Sequence, residues 1–274
     1  MTSEQKLAVI TGGSSGLGLA LSKRLAAQGY LPLMIARNGE RLQQAHQSLK
    51  ALGYESITFS GDVTHPRDLE EISEQIQARW KKIDCLVLNA GVVHVGLVSG
   101  DHSPHSLDEM KQDIETNLWG AILTAQYFVP LLPPGSKILI ISSALGLLGL
   151  AGYSAYCAAK AGLIHFAESL RRELLHRKIQ VYVACPADID TPQFRSEQSQ
   201  MPEWMKQNQG IRSKVLSPDT AASRILKKCQ GDHFLITINF DVSLLAFLSR
   251  ILPRSVKDFL IDHLFPRPKS DRVG

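Results

Sequence analysis

With 274 residues, 44% hydrophobic and 20% charged, the chain suits one large α/β domain, and at this length roughly 75% of the unfolded surface can be buried without staples. A net charge of +4, with basic residues dispersed rather than gathered in a stripe, argues against nucleic acid as a partner. No stretch reaches the ~18 to 20 apolar residues needed to span a bilayer, and no leader pattern precedes the first strand. The four cysteines (Cys85, Cys157, Cys185, Cys229) lack metal-ligand spacing, so free thiols in a reducing, cytoplasmic setting and no metal are expected.

Leu7 to Ile10 reads as strand one. It runs into Gly12-Gly13-Ser14-Ser15-Gly16-Leu17-Gly18 and a helix to Gly29. A glycine turn between strand and helix holds a pyrophosphate on backbone N–H groups, so Gly12, Ser14, Ser15, Gly16, Leu17 and Gly18 are candidate dinucleotide contacts. Leu31 to Ala36 is strand two. Its end lacks the acid that would grip a ribose 2′-hydroxyl and offers Arg37-Asn38, with Arg41 four residues on. A guanidinium fork there suits a 2′-phosphate and hence NADPH; the plainer reading is a solvated surface arginine. Leu42, Ala45, Leu49 and Leu52 recur at helical spacing. Ile57 to Phe59 opens strand three, expected to end at Asp62-Val63, where Asp62 either accepts from an adenine amino group or closes a turn. Leu69, Ile72, Ile76 and Trp80 mark a helix, and Cys85 to Leu88 is strand four. It ends in Asn89-Ala90-Gly91, small enough to let the backbone pass close to a cofactor.

Ser106 and Glu109 are spaced as a capping box for a helix that runs, with a break, past Asn117 towards Leu132; Pro133-Pro134-Gly135 stops it. Ile138 to Ile141 is strand five, ending at Ser142-Ser143. A long helix is predicted over Ser154 to Arg177, carrying Tyr156 and Lys160 on one face because residues four apart align. An ammonium near a phenol favours the phenolate, which makes the tyrosine a better proton carrier near neutrality. Tyr153 has Cys157, not lysine, at that spacing, so Tyr156 is the expected acid and Ser143 would polarise a carbonyl. Val181 to Ala184 is strand six, Ser217-Pro218-Asp219 starts another helix, and Phe234 to Ile238 is strand seven. Residues 193–215 are expected to form a lid, with Met201, Trp204 and Met205 as an adaptable apolar face. Val242 to Leu252 and Ser255 to Phe265 read as two short apolar helices edged by Arg250, Arg254, Lys257, Arg267 and Lys269. They suit a membrane interface; packing on the body or a subunit interface is the rival reading.

The alternation of strands and helices predicts a single doubly wound Rossmann domain over 1–274, with a mostly parallel seven-stranded sheet, a core over 1–240 and a C-terminal extension over 241–274. Every motif ends a strand, where ligands of such sheets bind. Proton transfer to a carbonyl beside a bound dinucleotide outlines a nicotinamide-dependent ketone reductase. Steroid, acyl or small carbonyl substrates remain open, as does a non-catalytic NADP-sensing role.

These residues resemble the short-chain dehydrogenase/reductase family over about residues 6 to 240. The resemblance implies Ser143, Tyr156 and Lys160 as the catalytic triad. It implies Asn117, in Glu-Thr-Asn-Leu, as the asparagine that holds a relay water, and Thr191 as the contact of the nicotinamide carboxamide. A homodimer or homotetramer is implied as well. Pro186-Ala187 departs from the family's Pro-Gly, which leaves the path of that loop open. Ala36-Arg37-Asn38, the run from Ser142 to Tyr156 and the run from Pro186 to Phe194 are similar to the family's 3-ketodihydrosphingosine reductases. That similarity implies a long-chain 3-ketosphinganine as substrate and NADPH as reductant; eukaryotic members carry an N-terminal membrane anchor, and an unanchored cytoplasmic version is expected here, with peripheral membrane contact resting on the tail helices.

Overall fold

The computed structural model describes residues 5–98, 105–207 and 214–264. In chain order the elements are β1 (Lys6–Thr11), α1 (Gly16–Ala27), β2 (Tyr30–Ala36), α2 (Gly39–Lys50), β3 (Ile57–Ser60), α3 (Pro66–Trp80), β4 (Cys85–Leu88), α4 (Leu107–Ile114) and α5 (Gly120–Phe128). Then follow β5 (Lys137–Ile141), α6 (Ser154–Leu174), β6 (Gln180–Ala184), α7 (Pro192–Gln200), α8 (Glu203–Gln207), α9 (Pro218–Lys228), β7 (Leu235–Ile236), α10 (Phe240–Ile251) and α11 (Arg254–Leu264). The strands form one seven-stranded sheet in the order β3-β2-β1-β4-β5-β6-β7, and all six pairings are parallel.

Strands covered on both faces must be apolar at successive positions, because neighbouring side chains point to opposite sides. Leu7 and Val9 of β1 join one buried cluster, with Leu86 and Leu88 of β4 and Ile138 and Ile140 of β5. Ala8 and Ile10, Cys85 and Val87, and Leu139 and Ile141 join the cluster on the opposite face. Helices α3, α5 and α6 cover the first face, and α1 and α9 the second. Strand order reverses between β1 and β4, so the crevice beyond their carboxyl ends is the expected ligand site.

Helix starts follow their caps. Ser106 and Glu109 form the capping box of α4, and Ser217 caps α9 with Pro218 in its first turn. The break expected in the helix towards Leu132 takes the form of a π turn over Glu115–Trp119 between α4 and α5, with a 3-10 turn at the end. The cause lies in Asn117, whose Nδ2 donates to the Asp113 carbonyl at 2.8 Å and takes the acceptor that a regular ladder uses. Strand three stops at Ser60, short of Asp62, because Asp62 N turns to the Asp68 carboxylate. Strand seven spans two residues rather than five, since Thr237 already bonds Lys228 and Ser243 in the turn towards α10. After strand six, the Pro186 carbonyl accepts from Ala144 N at 2.8 Å, which fixes the loop that lacks the expected glycine.

The four cysteines are buried free thiols. No helix among the described residues is long and apolar enough to cross a membrane. Lid residues 208–213, tail residues Phe265, Arg267 and Lys269, and the side chain of Arg250 lie outside the described residues.

Candidate active site

The glycine turn forms a tight cradle. Gly12 and Gly16 have φ of +65° and +53°, the left-handed region that favours glycine. A Cβ on Gly18 would sit 2.1 Å from the Gly12 carbonyl oxygen, so α1 packs on the turn backbone to backbone. The turn is braced from β4. Asn89 Nδ2 donates to the carbonyls of Thr11 and Gly12, while Thr11 Oγ1 accepts from the N–H groups of Asn89 and Ala90. Ser15 caps α1 without using its hydroxyl, and the first turn of that helix has no acid. Ser14 is half-buried and Leu17 buried beside it. Such a cradle fits a pyrophosphate, because it offers backbone N–H groups, a free hydroxyl and the positive end of a helix dipole.

The sequence-predicted contacts around this cradle have distinct settings. Thr191 lies across from it, its methyl within 3.0 Å of a Cβ built on Gly16, and its hydroxyl accepts from Phe194 N. Asn38 caps α2 by accepting from Arg41 N, so its side chain is committed to the fold, while Arg41 is exposed. Arg37 is 64% exposed, with Nη1 3.7 Å from Asp62 Oδ2. Asp62 Oδ1 accepts from Thr64 N and Oγ1, which is the turn-closing arrangement. Val63 is buried against Gly120.

The second half of the site gathers β4, the π turn, β5 and α6. Lys160 is 4% exposed, and its Nζ donates to the Ile141 carbonyl at 3.1 Å and lies 5.5 Å from the centre of the Tyr156 ring. A Cβ on Gly91 would meet Asn117 Oδ1 at 2.5 Å and Lys160 Nζ at 3.5 Å, so the glycine admits both. Asn117 is 1% exposed and committed to Val92 and Asp113 through its amide. The two serines that end β5 divide their work. Ser142 is buried and donates to the Lys160 carbonyl at 2.7 Å, anchoring α6, whereas Ser143 Oγ accepts from Leu145 N at 3.1 Å and acts on the nearby Tyr156 phenol.

Burial decides the electrostatics here. It pushes the Tyr156 phenol above its ordinary value, the Glu197 carboxylate adds to that, and the Ser143 hydroxyl opposes it. The expected acidification of the phenol by Lys160 is not found: burial dominates, and the phenol stays protonated at neutral pH. Burial also pulls the Lys160 ammonium down to about 8. A protonated phenol beside a hydroxyl donor can deliver a proton to a developing alkoxide.

Tyr153 is turned away from this chemistry. It is 5% exposed and donates to Glu197 Oε1 at 2.5 Å, tying α7 to the start of α6. Met201 and Met205 bury themselves against Tyr153 and Cys157, with Trp204, Val93, Leu145 and Tyr156 at the edge of the cluster. Sequence reading missed Glu197, Ser142 and the bracing by Thr11. The signal for Thr11 was a lone hydroxyl closing an apolar strand; Glu197 gives none, being one polar residue among several on a short helix.

A family model described as "short chain dehydrogenase" matches residues 6–202. The chain is 34% identical to the 3-dehydrosphinganine reductase TSC10A of Arabidopsis thaliana over 87% of its own length and 72% of that protein. It is 37% identical to TSC10B of the same plant over 84% and 71%. A short chain dehydrogenase from Burkholderia cenocepacia, solved in complex with NADP, superposes with a TM-score of 0.72 at 26% identity, covering 86% of this chain and 96% of that one.

Proposed function

This chain belongs to the short chain dehydrogenase family and is an oxidoreductase, and from that premise we propose that it reduces the ketone of a long-chain 2-amino-3-ketone of the 3-dehydrosphinganine type, using NADPH. The observation that carries the reading is the convergence of Ser143, Tyr156 and Lys160 beside a glycine cradle with no room for side chains. Gly12, Ser14, Ser15, Gly16, Leu17 and Gly18 would hold the pyrophosphate. Asn89, Ala90 and Gly91 would flank the cofactor, Thr191 would meet its carboxamide, and Asp62-Val63 would border the adenine. Arg37, mostly exposed at the end of β2, would take the 2′-phosphate, with Asn38 N–H and Arg41 beside it. The NADP complex of the Burkholderia relative supports that choice. When bound, reduced nicotinamide supplies the hydride.

The remaining work falls to protein side chains. Ser143 donates a hydrogen bond to the ketone oxygen. Tyr156, held protonated by burial, gives up its proton as that oxygen becomes an alkoxide. Lys160 would hold the nicotinamide ribose, and Asn117 fixes the turn through which the proton is replaced. Tyr156→Phe is expected to lower kcat by at least ~10²-fold, with the NADPH affinity, read by fluorescence titration, nearly unchanged. A variant that reduces ketones at the parental rate would overturn the assignment.

Glu197 supports the amino-ketone reading. The substrate that names the plant relatives carries an amine next to its ketone, and a buried ammonium needs a counter-charge. Glu197 supplies a carboxylate held by Tyr153, whose ring centre is 6.5 Å from that of Tyr156. The apolar face formed by Met201, after α7, and by Trp204 and Met205 of α8 would take the alkyl chain. The parent should prefer the amino ketone over a ketone of equal length lacking the amine, and Glu197→Gln should erase most of that preference in kcat/KM. Equal turnover of both substrates by the parent would remove the amine contact and leave the reductase intact.

A bilayer is the proposed partner of the tail. Leu244, Phe247, Ile251, Phe259 and Leu264 are exposed on α10 and α11, with Arg254 and Lys257 beside them, so the body of the chain does not cover them.

A further inference from the structure

We propose that His94, His105 and Asp113 form a binding site for a divalent transition-metal ion, with Zn²⁺ as the expected occupant. The three lie outside the proposed reaction centre and come from two pieces of chain. His94 sits in the loop after β4, His105 directly precedes the Ser106 cap of α4, and Asp113 is in the last turn of that helix. Their irregular separation matches no compact ligand motif, so residue spacing alone led to the expectation of no metal.

The donor set is built rather than incidental. Asp113 is wholly buried, and among the described residues its Oδ2 has no hydrogen-bond partner. The His105 side chain is also wholly buried, and neither ring nitrogen has a partner among the described residues. Buried polar groups are normally satisfied, so three such atoms in one place ask for a ligand. His94 Nδ1 lies 2.9 Å from Asp113 Oδ1, and His105 Nε2 lies 3.9 Å from Asp113 Oδ2. One donor atom from each residue falls within 4.8 Å of the others. Zinc bonds of about 2.0–2.2 Å place tetrahedral donors roughly 3.4 Å apart, between those two distances. Two imidazoles and a carboxylate suit zinc, and His94, with its side chain 21% exposed, leaves a side open to solvent for entry and for a water ligand.

The backbone is shaped to bring His105 in. A Cβ on Gly96 would stand 2.8 Å from both the backbone N and Cα of His105, and His105 N donates to the Leu97 carbonyl at 2.9 Å. The Asp113 carbonyl accepts from Asn117 Nδ2, so an ion here would brace the loop after β4 against the π turn.

The test uses the untagged full chain, stripped with EDTA and titrated with ZnSO₄ by calorimetry, with Co²⁺ absorption as a coordination probe. The expected result is one equivalent bound, a rise in Tm with Zn²⁺, and a Co²⁺ spectrum lost in His105→Ala. His105→Ala and Asp113→Asn should each weaken Zn²⁺ by more than ~10²-fold, while the exposed control His65→Ala should not. If Asp113→Asn fails to fold, the parent and His105→Gln still decide. A parent that binds no more Zn²⁺ than His105→Ala, or whose Tm ignores the metal, overturns the site and leaves His94–Asp113 as a plain hydrogen-bonded pair.

Discussion

Lys160 places an ammonium where water barely reaches, with a hydrogen bond to the Ile141 carbonyl. Its fall from 10.5 to about 8 costs folding about 3 kcal/mol while the lysine is charged. The unfolded chain holds this proton up to about pH 10.5 and the folded chain only to about pH 8, so folding gains stability as pH rises through that window and bears the full penalty below it. Lys160→Met should therefore be more stable than the parent at about pH 7, by a margin that shrinks by over ~1 kcal/mol towards pH 10. Paired urea titrations measure this; a margin independent of pH would mean that the lysine titrates normally. Helical spacing alone made Tyr156 and Lys160 legible as a pair. The direction of the phenol's shift was not legible, because desolvation depends on what packs around a group. Tyr153 illustrates the same limit: only the position of Glu197 shows that its hydroxyl is already engaged.

At the scale of elements, the glycine turn and its helix are the least tolerant part. The Gly12 carbonyl that blocks a Cβ on Gly18 is backbone held by Asn89, and it cannot swing aside as a side chain tip would. Gly18→Ala should cost about 1–3 kcal/mol in thermal unfolding and weaken NADPH by at least ~10-fold in a fluorescence titration. Unchanged affinity would mean that the cofactor does not use this turn. The central strands were readable from the sequence because burial on both faces demands unbroken apolar runs, as Leu86-Val87-Leu88 and Ile138 to Ile141 provide. The π turn was not readable beyond a break, since it arises from one side-chain bond, Asn117 to Asp113. The ends of β3 and β7 escaped for a related reason: Asp68 and Lys228 capture backbone groups that the ladder would otherwise use.

Across the whole molecule, the sheet positions the chemistry and the C-terminal helices present an apolar face outward. Phe247 and Phe259 are 59% and 60% exposed, a poor arrangement in water and a good one at a lipid interface. The full chain should float with vesicles of phosphatidylcholine and phosphatidylserine, and Phe247→Glu with Phe259→Glu should abolish flotation without loss of secondary structure. A stable dimer in sedimentation that the same pair dissolves, with no flotation, would assign the face to a second copy instead. Between this tail and the turn that follows Ser143 runs a cleft of ≈ 540 Å³, lined by Leu148, Gly149, Arg254, Lys257, Asp258 and Ile261. An enzyme resting on that face would meet a poorly soluble ketone by searching in two dimensions. Its kinetics would then obey surface dilution: turnover would follow the mole fraction of ketone in the lipid, and adding inert lipid at constant total substrate would slow the reaction.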